Sequence, residues 1–324
     1  MKSTKSLLWI RRLLGLASVP IPPHVFALDA TSVSYGHFPR TATGLELGEF
    51  HRVELNPETF TAGLIGGAVQ EERSLRQGFD ELLSRMSAAV TEAALVLPDS
   101  WLRITFAETA ELPRTAVARE EILRWKLKRL VPFRVDDLRL QSMEVEVLAG
   151  QEEPKRLLLA FAVESLLGHL EATFSAYGIR LGLVSNVSLS LLQAVWERIG
   201  SDDLIAVVSV DEEGYALAFA RAGRPVLHRY KANGTGRNGA DASKALRELK
   251  LTGAFLAERL PAAELKAVHL FAPEALEPQW TGWLEEGLGV EVRLATELAD
   301  WVHDEGALDP RGLLPLMGAA CTRV

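Results

Sequence analysis

A single cysteine, Cys321, stands in a chain of 324 residues, so neither an internal disulfide nor a thiolate metal cluster can form. That usage fits a reducing compartment. Histidine is scarce as well: the seven are scattered, and none pairs with another at a zinc-binding spacing. Positive charge is in deficit, with 35 Lys and Arg against 43 Asp and Glu and a formal net charge of −8. This speaks against a general nucleic-acid binder, because phosphate neutralisation needs a basic surface. No apolar run is long enough to cross a bilayer, and low-complexity segments are missing. Neither a Gly-x-Ser-x-Gly elbow nor a Walker-type phosphate loop occurs. What remains is an ordinary soluble composition, 48% hydrophobic and 24% charged. The chain is long enough for two lobes, each with its own core.

Residues 1–23 form a segment apart. Lys2, Lys5, Arg11 and Arg12 are interleaved with Leu7, Leu8, Trp9, Ile10, Leu13 and Leu14. A signal peptide puts its charges first and an unbroken apolar run after them, whereas here the arginine pair splits the run. As a helix, residues 1–19 would align Leu7, Ile10, Leu14 and Ala17 on one stripe. Two readings stay open: a basic helix resting peripherally on an anionic membrane surface, or a frayed tail. Pro20 to Pro23 then acts as a linker.

Periodicity divides the rest at 24–111, 112–178 and 179–324. The first part reads as strands His24 to Ala30, Val33 to Pro39 and Leu45 to Leu55, then a helix from Glu71 to Ala88 and strands Ala93 to Leu97 and Trp101 to Ala107. The middle part opens with Pro113 near the start of a helix to Leu130, where a missing N–H has no intrahelical role. Leu123, Leu127 and Leu130 are its buried stripe. Arg119, Arg124, Lys126, Lys128 and Arg129 make the remainder basic, a pattern that more often marks a solvated face than a recognition surface. Pro132 stops it. Strands Leu138 to Leu148 and Arg156 to Ala162 and a helix from Glu164 to Tyr177 follow, closed by Gly178.

The last part repeats the first. Strand Leu181 to Val184 and helix Ser188 to Ile199 lead into strands Leu204 to Val210, Tyr215 to Arg221 and Pro225 to Lys231, joined by hairpin-length turns. A glycine-rich loop, a helix from Ala240 to Leu260, strand Ala267 to Phe271, helix Pro273 to Leu288, strand Val290 to Leu294 and a terminal helix complete it. Three antiparallel strands, a helix and further strand–helix pairs thus occur twice. That order predicts an α/β, actin-like (ribonuclease-H-like) fold of two lobes facing across a cleft, with a small α+β subdomain inserted at 112–178.

Several short segments, in order, resemble the PilM family and its relatives FtsA and the cytoplasmic part of GspL. Leu28-Asp29-Ala30-Thr31-Ser32-Val33 resembles the family's opening Asp-Ile-Gly-Ser-Ser-Ser-Val, and Leu95 to Ser100 its Leu-Pro segment. Glu120 to Phe133 resembles its glutamate-led helix ending in Ile-Pro-Phe, Val207 to Arg229 its second phosphate hairpin, and Leu313 to Arg323 its closing helix. The resemblance implies a cytoplasmic scaffold at the inner face of the bacterial inner membrane, in a type IV pilus or type II secretion platform. It implies capture of the cytoplasmic N-terminal peptide of a PilN-like membrane protein between the first lobe and the insert, with Trp125, Leu130, Pro132 and Phe133 supporting that groove. Self-assembly into rings or filaments is a further implication, and a division protein like FtsA a third reading. FtsA relatives place their membrane anchor at the C-terminus, whereas the candidate here is at the start.

The same resemblance raises ATP with Mg²⁺. Asp29 stands where a carboxylate positions hydrated Mg²⁺, with Thr31 and Ser32 as phosphate donors. Gly234 and Gly236, with Gly239, are candidates at a helix start. The alternative for Asp29, Thr31 and Ser32 is an ordinary strand-end turn, and for the glycines a plain loop. Two other motifs depart from the family. Its second Asp-Ile-Gly is replaced by Ser209-Val210-Asp211, followed by Glu212 and Glu213, which sets acidic groups toward a polyphosphate. Its Gly-Gly adenosine turn is replaced by Phe271-Ala272-Pro273-Glu274, which adds a Cβ and removes a donor. A scaffold with a degenerate cleft is the expectation; an active ATPase or small-molecule kinase of the same superfold is the alternative.

Overall fold

The computed structural model describes residues 22–41, 44–61, 68–111, 113, 115–129, 131, 134–145, 155–200, 203–233, 241–260, 263–298 and 310–321. Gly234, Gly236, Leu130, Pro132, Phe133 and the segment 1–19 lie outside them.

Two five-stranded sheets share one plan. In the first, β1 (His24–Leu28), β2 (Ser32–His37) and β3 (Glu49–Glu54) form an antiparallel meander, α1 (Glu72–Arg85) crosses over, and β4 (Glu92–Leu97) and β8 (Arg180–Asn186) add in parallel, in the order β3-β2-β1-β4-β8. In the second, β9 (Leu204–Val210), β10 (Gly214–Arg221) and β11 (Arg224–Ala232) make the meander, and β12 (Leu265–Phe271) and β13 (Glu291–Leu294) add in parallel, in the order β11-β10-β9-β12-β13. The repeated three-strand meander read from the sequence is observed, but two strands change place: the one read at 101–107 with the first part joins a third sheet, and the one read at 181–184 as the start of the last part completes the first sheet, because it pairs with β4. This is the actin-like architecture, with the two sheets as the hearts of two lobes.

Between β4 and β8 the chain builds a third sheet, β5-β7-β6, from β5 (Arg103–Thr109), β6 (Leu138–Val145) and β7 (Lys155–Val163). α2 (Ala116–Leu127) covers it through Leu123 and Leu127, which are buried against Leu157, Leu159 and Phe161. This helix is shorter than its pattern predicts. Its first turn is capped by the Thr115 hydroxyl, which accepts from the Ala118 N–H, and Pro113 lies before the cap. α3 (Glu164–Ala176) returns to the first lobe, packing Leu166, Leu170 and Phe174 with Phe26 and Phe79. Each such side chain taken fully from water contributes about 1.5–3 kcal/mol.

α4 (Val187–Ile199) and α7 (Pro310–Cys321) lie together in one core with Val25, Ala94 and Val96 of the first sheet and Ile205, Val207 and Ala218 of the second. α7 is buried at every position from Leu313 to Cys321, so the lone cysteine does pack as a small hydrophobe. Gly318 permits the closeness of the two helices: a Cβ there would stand 1.8 Å from the Ser190 carbonyl oxygen. α5 (Ala242–Arg259) and α6 (Glu277–Leu288) back the second sheet through Leu249, Leu256, Trp280 and Leu284. Among the described residues no helix is long and apolar enough to cross a membrane.

Candidate functional site

The turns after β1 and β9 hold equivalent places in the two sheets, and both carry an aspartate. The Asp29 carboxylate accepts from the Thr31 N–H at 2.7 Å, the Thr31 hydroxyl at 3.1 Å and the Ser32 hydroxyl at 2.6 Å. Arg52 lies 4.0 Å away, and about half of the Asp29 side chain is exposed. The three groups expected at this turn are therefore together, but the donors of Thr31 and Ser32 are turned onto Asp29 itself.

Asp211 behaves differently. Its Oδ1 accepts from the Glu213 and Gly214 N–H groups at 2.8 and 2.7 Å, and its own N–H donates to the Gly214 carbonyl. The sequence placed this carboxylate facing outward with Glu212 and Glu213; instead it folds back and occupies the N–H groups of its own turn. Burial, reinforced by the nearby Asp99 charge, pushes the Asp211 carboxyl up to about 7, against the pull of those two N–H donors. Tyr230 is raised by burial and by the same aspartate. Arg103 stacks 4.8 Å from the Tyr230 ring centre, and burial lowers its pKa.

Beneath these turns lies a cluster that the sequence reading did not assemble. Asp99, just past β4, is 3% exposed. Its carboxylate accepts from Asn186 Nδ2 at 2.6 Å, the Ser188 N–H at 3.2 Å, the Ser188 hydroxyl, and the Ser209 hydroxyl at 2.7 Å. His228 Nε2 sits 2.8 Å from Ser188 Oγ and 3.8 Å from Asp99 Oδ1. His228 Nδ1 lies 3.0 Å from the Ile104 carbonyl, which can only accept, so Nδ1 carries the hydrogen. Asn186 also caps α4, its Oδ1 accepting from the Leu189 N–H at 3.1 Å. The first sheet and α4 thus supply Asp99, Asn186 and Ser188, the second sheet Ser209 and His228, and the small sheet Ile104. Hydrogen bonds to a buried charge are worth about 1.5–3 kcal/mol each, and an abandoned donor costs as much. The cue in the sequence was polarity where strands should be apolar: Ser209 inside Leu204–Val210 and His228 inside Arg224–Ala232.

Beyond β12, Ala272 is 3% exposed and its carbonyl accepts from Arg311 Nε at 3.2 Å; Arg311 Nη2 also reaches Glu277 at 2.6 Å. The turn that departs from Gly-Gly is therefore pinned to α7.

A groove of about 960 Å³ opens beside the cluster. Its walls come from all three sheets: Met143 to Val145 and Leu158 of the small sheet, Leu183 to Asn186 with Leu189, Leu192 and Trp196 of the first lobe, and the β10–β11 hairpin from Ala220 to Val226. That hairpin turns through Ala222 at φ 49° and Gly223 at φ 74°, and a Cβ on Gly223 would meet the Trp196 ring at 2.7 Å. Arg156, 3% exposed, stacks 4.0 Å from the Phe106 ring and donates to the Val226 carbonyl, fastening the hairpin to the small sheet. β6 and β8 are edge strands, and consecutive residues of each border the groove, so it runs along their edges. Trp125 is not on its walls. It is 60% exposed on α2, with Arg129 5.8 Å from its ring, in a separate basin with Arg124, Lys128 and Arg134.

Comparison with known proteins places this geometry in a lineage of folds. No family model matches the sequence, and no curated protein matches it. Among solved structures, a chain of the PilM–PilN type IV pilus biogenesis complex superposes with a TM-score of 0.68, covering 93% of this chain and 97% of that one at 15% identity. The fold is that of PilM. A protein of unknown function with an actin-like ATPase fold from Bacteroides thetaiotaomicron gives a TM-score of 0.50, covering 85% and 94% at 9% identity. The cytoplasmic domain of EpsL, an inner-membrane component of the Vibrio cholerae type II secretion system, gives 0.44, covering 89% and 96% at 11% identity. At these identities the PilM likeness is one of fold, and it extends over nearly the whole of both chains.

Proposed function

We propose that this chain is a scaffold of a bacterial inner-membrane platform of the pilus or secretion type. On this reading it works at the cytoplasmic face and seats the N-terminal peptide of a PilN-like membrane protein in the groove between the first lobe, the small sheet and the β10–β11 hairpin. The observation that carries it is the groove itself: about 960 Å³, walled largely by apolar side chains and bordered by β6 and β8, each the edge strand of its sheet among the described residues. Such an arrangement suits an extended or partly helical peptide, with backbone groups supplying affinity and apolar pockets selecting side chains. The PilM-like fold supports the same reading. Trp125 and its basic surroundings then form a second, outer surface, suited to contacts between copies in a ring or filament.

On this reading the described residues of the two aspartate turns are poorly suited to a nucleoside triphosphate. Thr31 and Ser32 donate to Asp29, the Glu213 and Gly214 N–H groups donate to Asp211, and the Ala272 carbonyl is taken by Arg311. A polyphosphate would have to displace these bonds while meeting Asp211 and Asp99. The ATPase or kinase alternative therefore has no supporting geometry among the described residues.

The test is binding of the partner's labelled cytoplasmic peptide, with the partner taken from the neighbouring gene. Met143→Glu, at a 56% exposed position on the groove wall, should weaken binding at least tenfold, about 1.4 kcal/mol, and leave the melting temperature unchanged. Trp125→Ala should leave binding within twofold. The opposite pattern would move the docking seat to α2, and no binding by the unaltered chain would remove this reading.

A further inference from the structure

An interlobe ligand ordinarily does two things at once: it satisfies the polar groups of two facing lobes and holds the lobes together. Here the protein's own side chains already do both. Asp99 leaves the first lobe and is met by the Ser209 hydroxyl of the second at 2.7 Å; Ser188 of α4 is met by His228 of β11 at 2.8 Å. Asp99, Asn186, Ser188, Ser209 and His228 are all between 0 and 5% exposed. The tie is buried and its polar groups are hydrogen-bonded to one another, and it crosses between the two sheets beside the apolar packing around α4 and α7.

Its position matters as much as its chemistry. His228 is held from behind by the Ile104 carbonyl, and Asp99 is clamped by Asn186 Nδ2. Ile104 and Asn186 are also wall residues of the groove. One residue of each pair therefore faces the cluster through a polar atom and borders the groove with the rest of its surface. The β10–β11 hairpin repeats the arrangement, since β11 carries His228 at its centre and the groove wall at its tip. A ligand seated against Ile104 or Asn186 therefore contacts residues that hold His228 and Asp99.

We infer that Asp99, Ser188, Ser209 and His228 form a side-chain latch that closes the lobes in place of a bridging ligand, and that an extended peptide seated in the groove tightens it. The coupling is a linkage between two equilibria: the groove has its full set of walls only with the hairpin against the first lobe, so peptide favours the closed arrangement. By reciprocity, loss of the latch lowers peptide affinity in proportion to the closed fraction that remains. The second half of the inference rests on the docking reading above; the first half does not.

Spin labels on Gln77→Cys of α1 and Glu285→Cys of α6, both exposed positions, report the distance between lobes, while the buried Cys321 is shielded from the label. The unaltered latch should give one narrow distribution. Ser209→Ala combined with His228→Leu should add a longer population, and Mg·ATP should not reverse it. If the double variant fails to fold, Ser209→Ala alone is read the same way. Peptide affinity, by calorimetry, should fall about five- to tenfold in the latch variants, and saturating peptide should restore the narrow distribution. An unchanged distance in folded variants overturns the latch. Opening with unchanged peptide affinity overturns the coupling. If the unaltered chain binds no peptide, the docking reading and the coupling fail together, and the label distances still decide the latch.

Discussion

The turn after β1 and the turn after β9 occupy equivalent places in the two lobes, and both are built around an aspartate that accepts hydrogen bonds from its own turn. Their surroundings differ. Asp29 is half exposed, with Arg52 nearby; Asp211 is partly buried, and the charge of Asp99, of its own sign, acts on it. Duplicated folds preserve backbone positions more readily than electrostatic environments. Asp211 stands where the family that the sequence resembles has glycine, and its carboxylate occupies the N–H groups of its own turn.

The largest effect should come from Asp211→Asn. The folded-state pKa of Asp211, about 7, lies above the value of 3.8 expected for an exposed aspartate. Stability from this group is therefore fully present below pH 3.8 and is lost as pH rises toward 7. At about 1.4 kcal/mol per tenfold change in proton affinity, the whole window is worth no more than about 4 kcal/mol. Asparagine keeps an acceptor for the Glu213 and Gly214 N–H groups and cannot ionise. Denaturant unfolding should find Asp211→Asn about 2–4 kcal/mol more stable than the parent at pH 8 and only about 1 kcal/mol more stable at pH 4.5. No gain at pH 8 would mean that Asp211 is not held in a hostile environment.

A smaller effect must be separated from that one. His269, in the middle of the second sheet, is 2% exposed, and neither ring nitrogen has a hydrogen-bond partner. Burial, aided by Arg293, lowers it to about 4. Its sign is opposite: the unfolded chain takes up the proton first, so stability falls as pH drops from 6.5 toward 4. Between pH 4 and 6.5 the two groups partly cancel in the parent. His269→Leu should raise stability by about 1–2 kcal/mol at pH 7, since an unsatisfied buried polar group is removed. It should also steepen the remaining decline with pH, which then belongs to Asp211. A flat profile in this variant would show that Asp211 titrates normally.

Much of this molecule was legible in its sequence, for a physical reason. Leu204–Val210 and Gly214–Arg221 are near-continuous apolar runs bounded by turn residues, and such runs announce strands buried on both faces whatever the direction of their partners. The helix at 72–85 carries Leu75, Phe79 and Leu82 on one face and reads as plainly. The site was harder to read. Asp99, Ser188, Ser209 and His228 are separated by up to 129 residues, and no local periodicity connects them. Each looks like a minor blemish in an apolar element until the fold superimposes the blemishes. The resemblance set a partner groove between the first lobe and the insert with Trp125 among its supports; Trp125 stands 60% exposed and off the walls of the 960 Å³ groove, and its exposure could not be read from a helix only 12 residues long with a basic, weakly sided pattern.

The smallest effect is expected at the turn that most resembles a phosphate motif. Asp29 makes three short bonds, but all are local and half in water, so their net contribution resembles that of an exposed turn and not that of a buried charge. Asp29→Ala should cost less than about 1 kcal/mol. In the second lobe, by contrast, the equivalent position is worth several times more and has the opposite sign above pH 7. Calorimetry with Mg·ATP should find no binding to either form, because the N–H groups of the equivalent second turn stay occupied by Asp211. Micromolar ATP binding by the parent, abolished in Asp29→Ala, would restore the first turn as a working metal and phosphate site and would make the two turns different in function as well as in environment.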